Sequence, residues 1–417
     1  MQRSLIRTGL ALAAQHPALI LWYLQNRLRQ AILPLERLAG DGRSLPPRYV
    51  TLKPTLRCNL RCAFCRFVAN GDVFGGRDWL DREDWLRVVD EIAPYRPYIC
   101  LTGGEPTLYP HLPELIARIK SHGLICVLTT NGTLLEAKAA ALAMSPPDVV
   151  ILSIDGPREV HDRARVMPGT YDRALRGARA LAERMLDARG RMPGEGSRPL
   201  AGDRSLTDAD RMQITQEGTA LPSARPSSSR HTLRLVLNAA ITGHTWESAQ
   251  EMIRVAREFG AWALHFQHFW FMTQPMVDAH NARWGDCFPL DADHVGLTGE
   301  DGVDPDALFD TIERLRREDF GFPVLFYPEL TRDQMRTYYR APERFTHTGV
   351  PSCAWTSTDI LPNGDVAPCF DLVVGNVLHE PFAKIWESEP FRAHRRRLSE
   401  HGPYPICARC CDYFRHD

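Results

Sequence analysis

Three features are missing from this sequence, and each absence argues against a class of protein. No convincing secretory signal precedes its eleven cysteines, so we expect few or no structural disulfides and a reducing, cytoplasmic setting. The unbroken apolar run near the amino terminus, Ala18 to Leu24, is too short to span a bilayer. The sequence also has no excess of basic charge, because 50 lysines and arginines are balanced by 51 aspartates and glutamates, so nucleic acid is not an expected partner.

Residues 1–47 are predicted to form an amphipathic helical segment. Apolar residues recur at helical spacing between residues 18 and 38, and four arginines accompany them: Arg3, Arg7, Arg27 and Arg29. One interpretation is a helix docked on the following domain or on a second copy of the chain. The alternative is peripheral membrane contact, in which residues 1–38 lie at the surface of a bilayer.

From residue 48 onwards, short β-branched runs alternate with helical stretches, which is typical of βα units around a parallel sheet. Six strands are predicted, at Tyr49–Lys53, Tyr98–Thr102, Ile125–Thr129, Val149–Ile154, Leu233–Ala239 and Leu264–Phe269. The pattern predicts an α/β fold, a partial TIM-like (β/α)6 barrel, over residues 48–340. Residues 188–231 are rich in Gly, Pro, Ser and Arg, and we predict a disordered insertion there.

Three cysteines follow the first predicted strand in the segment Cys58-Asn-Leu-Arg-Cys62-Ala-Phe-Cys65. Thiolates at this spacing can hold three corners of a [4Fe–4S] cube and leave one iron open. Active-site loops of a barrel begin at this end of a strand. A zinc site would need a fourth cysteine or histidine nearby in the sequence, and none is close. Three buried thiols are the remaining alternative.

A second group of cysteines lies near the carboxyl terminus: Cys353, Cys369, Cys407 and Cys410, with Cys411 adjacent. Four thiolates make a full ligand set for a [4Fe–4S] cluster, and a structural zinc is the main alternative. The stretch between the first two cysteines predicts a hairpin that turns at Asn363-Gly364. The other three cysteines, Cys100, Cys126 and Cys287, are interpreted as buried or incidental thiols.

Further motifs make the chain resemble the radical S-adenosylmethionine (SAM) superfamily. Thr102-Gly103-Gly104-Glu105-Pro106 closes the second strand, and in this family such a segment binds the amino group of SAM. Glycines allow close approach of the backbone to a ligand, and a carboxylate suits an ammonium group. The third and fourth strands end in segments that resemble the lining of the SAM pocket.

The resemblance therefore implies roles in SAM binding for seven residues: Gly103, Gly104, Glu105, Asn131, Ser153, Asp155 and Arg165. Arg165 would meet the SAM carboxylate, and Asn238 is a further candidate for the same pocket. Asp155 as a helix cap and Arg165 as a surface cation are the alternatives.

Residues 341–417 resemble the SPASM/twitch extension, which carries auxiliary clusters in radical SAM enzymes. The full SPASM pattern needs more cysteines after the Cys407-x-x-Cys410 pair, and only Cys411 follows. The match is nearer to a single auxiliary cluster. Candidate substrate-facing residues lie on the sixth strand, where His265 and Gln267 share one face and His268 and Trp270 the other.

The resemblance implies a reaction. An electron from the reduced cluster, supplied by a flavodoxin-type or ferredoxin-type reductant, would cleave SAM to a 5′-deoxyadenosyl radical that abstracts hydrogen from substrate. Our first hypothesis is an oxidoreductase acting on a small or lipid-like molecule, with net oxidation or bond formation aided by the auxiliary cluster. It rests on the roughly 47 helical residues before the barrel, which leave no obvious leader-peptide domain. The alternatives are a peptide maturase that forms thioether or carbon–carbon crosslinks, and a non-catalytic structural or sensing protein.

Overall fold

The computed structural model describes residues 17–65, 80–190, 233–270, 272–290, 302–345, 351–369 and 372–410. In these residues, ten strands form one sheet in the order β10-β9-β8-β1-β2-β3-β4-β5-β6-β7. The strands are β1 Tyr49–Thr55, β2 Tyr98–Gly103, β3 Ile125–Thr130, β4 Val149–Ser153, β5 Leu235–Ile241, β6 Ala263–His268, β7 Val324–Tyr327, β8 Ser357–Ile360, β9 Asp365–Ala367 and β10 Gly375–Asn376. Adjacent strands in this order are parallel from β8 to β7. Strand β9 pairs antiparallel with β8, and β10 pairs antiparallel with β9.

Helices connect most of the parallel strands. They are α1 Pro17–Ala39, α2 Arg82–Ile92, α3 Leu112–Ser121, α4 Leu135–Met144, α5 Arg158–Ala164, α6 Thr170–Gly190, α7 Met252–Glu258, α8 Gln274–Trp284, α9 Pro305–Arg317, α10 Arg332–Arg340, α11 Cys353–Thr356, α12 Phe382–Trp386 and α13 Glu389–His401. The predicted insertion at 188–231 falls outside the described residues except for its first three, which still belong to α6.

All six predicted strands are present, and each end lies within two residues of the predicted one. The sheet also extends beyond them on both edges, through β7 next to β6 and β8 next to β1. The fold is thus a mixed α/β structure with a partial barrel of parallel strands. Strand β8 comes from the carboxyl-terminal segment, so that segment continues the barrel sheet. The domain boundaries at residues 48 and 341 stay predictions.

Each parallel strand has one face packed against helices and one inner face. On β1, Val50 and Leu52 are fully buried in the main core, whereas Thr51 and Lys53, which alternate with them, are half-buried. This alternation follows from the two-residue repeat of a strand. The register of the sheet extends the same two faces across all eight parallel strands. The inner face is where side chains can meet a ligand.

The predicted hairpin after Cys353 is present as β8 and β9. Leu361 and Gly364 close the turn, with the Gly364 amide donating to the Leu361 carbonyl at 2.9 Å. Gly364 has a φ of 86°, a conformation that favours glycine. The turn therefore lies where the Asn-Gly pair predicted it.

Helix α1 docks on the protein through the side that carries most of its polar residues, together with the buried Leu33. Arg29, only 4% exposed, donates to the Trp355 carbonyl at 3.0 Å, to Ser44 Oγ at 2.9 Å and to Glu36 Oε2 at 2.7 Å. The opposite side carries exposed apolar residues, which we call the leucine stripe: Leu24, Leu28, Ile32, Leu35 and Leu38. The helix is therefore docked, and it also presents an apolar surface. None of the described helices is long and apolar enough to cross a membrane.

Candidate functional site

The first three cysteines lie together in the loop that follows β1. Burial raises the pKa of Cys58 to about 11, and the nearby Cys62 and Cys65 thiols contribute to the rise. The Leu60 amide donates to Cys58 Sγ at 3.4 Å. Buried thiols of raised pKa keep their protons until a metal replaces them, and N–H donors stabilise the thiolates once formed. The chemistry of this donor set fits an iron–sulfur cluster.

A network of amide side chains surrounds Cys58. Asn131, at the end of β3, donates through Nδ2 to Asn59 Oδ1 at 3.0 Å and lies 3.9 Å from Cys58 Sγ. Asn59 in turn donates to Thr133 Oγ1 at 2.8 Å. These bonds fix the cysteine loop against the end of the third strand, as supporting hydrogen bonds do around metal ligands.

Glu105 is fully buried at the end of β2, and its two carboxylate oxygens are occupied. Oε1 accepts hydrogen bonds from Thr107 and from Thr130 Oγ1 at 2.6 Å, and Oε2 accepts one from the Asn131 amide at 2.8 Å. Burial raises the pKa of Glu105, and the Thr107, Thr130 and Asn131 donors oppose that rise. The carboxylate therefore braces the ends of two strands. Its contact with the SAM amino group stays a prediction.

Gly103 and Gly104 permit a close approach of two backbone segments. A β-carbon on Gly104 would lie 2.2 Å from the Arg57 carbonyl oxygen, and one on Gly103 would lie 2.2 Å from the Thr55 carbonyl oxygen. The Gly104 amide donates to Thr55 O at 3.0 Å. In the structure these glycines let β2 approach the chain that leads into Cys58, and their approach to a ligand stays a prediction.

Asp155 and Arg165 form a buried ion pair beside the cysteine loop. Arg165 Nε donates to Asp155 Oδ2 at 2.7 Å, and its Nη1 lies 3.5 Å from Cys62 Sγ. Asp155 Oδ1 also accepts from the Ala240 amide at 3.1 Å. Both alternatives for these residues are wrong: Pro157 is the N-terminal cap of α5, and Arg165 is buried. A cation that donates to sulfur lowers the energy of a thiolate.

The inner face brings together several of the predicted polar residues. Ser153 pairs in register with Asn238, and Asn238 pairs with His265 on the next strand. Asn238 Nδ2 lies 3.5 Å from Gln267 Oε1. The structure thus places His265 and Gln267 on one polar surface with Ser153, next to the strand ends that carry the cysteine loop.

His268 and Trp270, the other two sixth-strand candidates, lie elsewhere. His268 belongs to the helix-facing side of β6, and its Nδ1 lies 2.6 Å from the hydroxyl oxygen of Tyr339, on α10. Burial lowers the pKa of His268 to about 3. Trp270 packs against a second hydrophobic cluster that includes Met276 and Trp355. Strand alternation places His268 away from the inner face, and Trp270 lies beyond the end of β6.

Two charged residues on the inner face were given no functional role in the sequence analysis. Lys53 Nζ, on β1, lies 2.6 Å from Asp359 Oδ2, on β8. Their strands pair in parallel, with Thr51 opposite Asp359. The sequence signal is a lysine at an inward position near the end of a strand, but its partner is more than three hundred residues away. Only the sheet register brings the two together.

The carboxyl-terminal cysteines lie in and around the second hydrophobic cluster. Burial raises the pKa of Cys407 to about 12, and Cys369 and Cys410 pack against the same cluster. Burial also raises the pKa of the Tyr404 hydroxyl, and Cys369, Cys407 and Cys287 raise it further. Cys287, interpreted from the sequence as incidental, therefore neighbours the predicted ligands. Cys411 lies outside the described residues.

In the described part of the chain, no three histidine, cysteine or acidic side chains converge closely enough to hold a single metal ion. The cysteines are present as neighbouring thiols, and their assignment as ligands stays a prediction.

An open barrel with a three-cysteine loop after its first strand, and a cysteine-bearing segment that continues the sheet, defines a class of iron–sulfur enzyme. Residues 52–194 match the sequence model of the Radical SAM superfamily, and residues 352–411 match that of SPASM, an iron–sulfur cluster-binding domain. The chain therefore contains a radical SAM domain and a SPASM domain. Its cofactors are accordingly a SAM-binding [4Fe–4S] cluster, SAM itself and auxiliary iron–sulfur ligation.

Three curated relatives illustrate the similarity. The chain is 39% identical over 153 residues to Fe-coproporphyrin III synthase of Methanosarcina barkeri and 36% identical over 138 residues to AdoMet-dependent heme synthase of the same organism. It is 34% identical over 149 residues to GTP 3′,8-cyclase of Geobacter sulfurreducens. These alignments cover 34%, 32% and 35% of this chain and only 38%, 39% and 45% of the relatives.

Solved structures show the fold over a longer stretch. Streptococcus suis SuiB bound to S-adenosylmethionine matches with a TM-score of 0.57 at 16% identity, covering 90% of this chain and 75% of that one. SuiB bound to the precursor peptide SuiA matches with a TM-score of 0.54 at 15% identity, covering 90% and 74%. At this level of identity the likeness is one of fold.

Proposed function

We propose that this radical SAM enzyme abstracts hydrogen from a small anionic molecule bound on the inner face of the barrel. When bound, the cluster and SAM supply one-electron cleavage of SAM and so the means of hydrogen abstraction. The observation that carries the proposal is the convergence of the cysteine loop, the Glu105 brace and the Asp155–Arg165 pair at one end of β1 to β4.

The chain's own residues would hold and shield this site. Cys58, Cys62 and Cys65 would bind the cluster, and Arg165 would donate to the sulfur of Cys62, from which it lies 3.5 Å. Phe64 packs edge-on against Phe269 at 5.9 Å, which closes an apolar side of the loop. Exclusion of water by such contacts protects reactive chemistry from side reactions.

Two observations support a small anionic substrate. The three relatives described above are named for iron–coproporphyrin, heme and GTP, all of which carry carboxylates or phosphates. The inner face offers both hydrogen-bonding side chains, Asn238 and Gln267, and a cation, Lys53. Cys353, Cys369, Cys407 and Cys410 would hold the auxiliary cluster, which would supply an electron acceptor for net oxidation or bond formation, or a point at which substrate is held.

Peptide maturation is the second candidate, favoured by the fold shared with SuiB in its complex with a precursor peptide. Formation of 5′-deoxyadenosine by the anaerobically reconstituted enzyme separates the two. We expect stimulation by coproporphyrin III or GTP over the level without substrate. Stimulation by candidate peptides, with neither anion effective, would contradict the small-molecule proposal. A flavodoxin or ferredoxin should replace dithionite as reductant in the same assay.

We propose in addition that the leucine stripe of α1 contacts anionic lipid. Leu28 is 67% exposed and Leu38 is 81% exposed, although the polar side of the helix is buried against the protein. Residues 1–35 contain four arginines and no acidic residue, which suits an anionic surface. An apolar face flanked by positive charge is characteristic of interfacial helices.

Sedimentation with lipid vesicles tests this contact. Replacing Leu28→Glu and Leu35→Glu together leaves the docked face intact and should abolish binding to vesicles that contain anionic lipid. Neutral vesicles should bind the wild type weakly. A wild type that stays in the supernatant but forms a dimer, broken by the same substitutions, would assign the stripe to a second copy of the chain.

A further inference from the structure

Lys53 and Asp359 join the radical SAM region to the SPASM region inside the barrel. Lys53 Nζ and Asp359 Oδ2 are 2.6 Å apart, and the side chains are 18% and 27% exposed. The neighbouring residues on the same strands, Leu52 and Ile360, are fully buried on the helix side. The ion pair is therefore on the inner face and reachable from it.

The pair is distinctive in its surroundings. Within the eight parallel strands described above, the inner-face positions carry one lysine or arginine, Lys53, and one aspartate or glutamate, Asp359. The remaining polar residues of that face are neutral amides and hydroxyls or the imidazole of His265. Within the strands themselves, a fixed charge on this face thus has a single source of each sign, and the Asp155–Arg165 pair lies beyond the end of β4.

The pair also lies at the end of the barrel that carries the cysteine loop. A β-carbon built on Gly103 would be 3.6 Å from Lys53 Cβ, so Lys53 flanks the Gly-Gly-Glu segment. Lys53 lies on β1, and the loop that directly follows β1 carries Cys58. A ligand group held by Lys53 would lie near the predicted SAM site.

We propose that Lys53 binds the anionic group of the substrate, a carboxylate or a phosphate, and that Asp359 pairs with Lys53 while no ligand is bound and so competes with the ligand. This inference rests on the proposed function, which makes the substrate a small anion. An ammonium group has three donors, and Asp359 occupies one of them. A partly exposed ion pair contributes little to stability by itself, whereas a positioned cation on a ligand-facing surface gives specificity for an anion.

Substitutions of Lys53 and of Asp359 should then have opposite effects on the affinity for an anionic ligand. Lys53→Met removes the donor and should weaken binding of an anionic ligand about tenfold, the loss expected for one charged hydrogen bond. Asp359→Asn removes the competing carboxylate and should strengthen binding about threefold, because the ligand no longer competes with a negative charge. If the ion pair were purely structural, both substitutions would weaken binding.

Equilibrium titration of the cluster-loaded full chain, with SAM present, tests this. The probes are coproporphyrin III, its methyl ester and GTP, followed by absorbance or by competition. We expect the affinity for coproporphyrin III or for GTP to decrease in Lys53→Met and to increase in Asp359→Asn. The affinity for the ester should change in neither variant. Which of the two anions responds distinguishes carboxylate from phosphate. Lys53→Arg should retain binding, and iron content together with unfolding midpoints should show that each variant is folded.

Unchanged affinity in Lys53→Met, or equal weakening by both substitutions, would overturn the proposal. So would a wild type that binds neither anion. Formation of 5′-deoxyadenosine without substrate should be measured on the same sample. If it is formed while neither anion binds, the radical SAM chemistry is intact and only the anion-binding proposals fail.

Discussion

Glu105 and Asp155 are both buried carboxylates at the same end of the sheet, yet their partners differ. Glu105 accepts hydrogen bonds from uncharged donors, whereas Asp155 is paired with the guanidinium of Arg165. A buried carboxylate without a cation has a raised pKa, as Glu105 does. Glu105 is thus suited to brace two strands, and Asp155 to hold a cation beside Cys62.

His268 gives the protein a pH dependence at the scale of one residue. Burial lowers its pKa from 6.5 to about 3. Between these values the unfolded chain binds a proton that the folded chain does not, so the free energy of unfolding decreases as the pH falls. His268→Phe should reduce that slope by up to about 1.4 kcal/mol per pH unit.

Urea unfolding between pH 6 and pH 4 measures this slope. His379→Phe, at an exposed position, removes a histidine without removing a buried one and is the matched control. Equal slopes for wild type and His268→Phe would show that His268 is protonated in the folded state.

Single side chains could be assigned from the sequence where a local motif specified them. The cysteine loop and the polar strand ends are such cases, and the structure gathers Asn131, Asp155 and Arg165 around that loop. Lys53 and Asp359 could not be paired in this way, because the inner and outer faces, and the pairing of β1 with β8, depend on the sheet register. No local pattern contains that information.

At the scale of elements, the approach of β2 to the chain before Cys58 depends on two glycines. The Gly104 amide donates to Thr55 O at 3.0 Å, and the Glu105 amide donates to Arg57 O at 2.8 Å. Any side chain at Gly104 meets backbone atoms, which cannot move aside as a flexible side chain would.

Gly104→Ala should therefore destabilise the protein by about 2 to 3 kcal/mol and lower the iron bound by the cysteine loop. Gly123→Ala is the control, because its surroundings are open and only its φ of 67° opposes a side chain. Urea unfolding and iron content per chain measure both effects. Wild-type iron content and stability in Gly104→Ala would contradict the packing argument.

The six strands of the barrel were predictable because β-branched alternation is a local signal. Strands β7 and β8 were not predicted as members of the barrel sheet, since they contain only four residues each and lie far along the chain from their partners. The helix of residues 17–39 was predicted, but its orientation, polar side inward, was not. That orientation depends on Arg29 reaching the Trp355 carbonyl, a contact across more than three hundred residues.

At the scale of the whole molecule, Arg29 connects the first helix to the SPASM region. Removing the guanidinium leaves the Glu36 carboxylate without its cation and takes one of two donors, Arg29 and Ser44, from the Trp355 carbonyl. Arg29→Met should lower the free energy of unfolding by about 3 kcal/mol, as expected when one partner of a buried pair is lost. Arg27→Met, on the exposed side of the same helix, should change it by less than about 0.5 kcal/mol. Equal effects in urea unfolding would argue against a docked helix.

The most direct test of the account is SAM cleavage by the reconstituted, reduced protein without substrate. The wild type should form 5′-deoxyadenosine, and Cys62→Ala should form none above background. Cys407→Ala should retain the first cluster but lose iron from the second and turn over poorly with substrate. If well-loaded wild type forms no 5′-deoxyadenosine, or Cys62→Ala forms as much as the wild type, the cysteine loop does not perform the chemistry assigned to it.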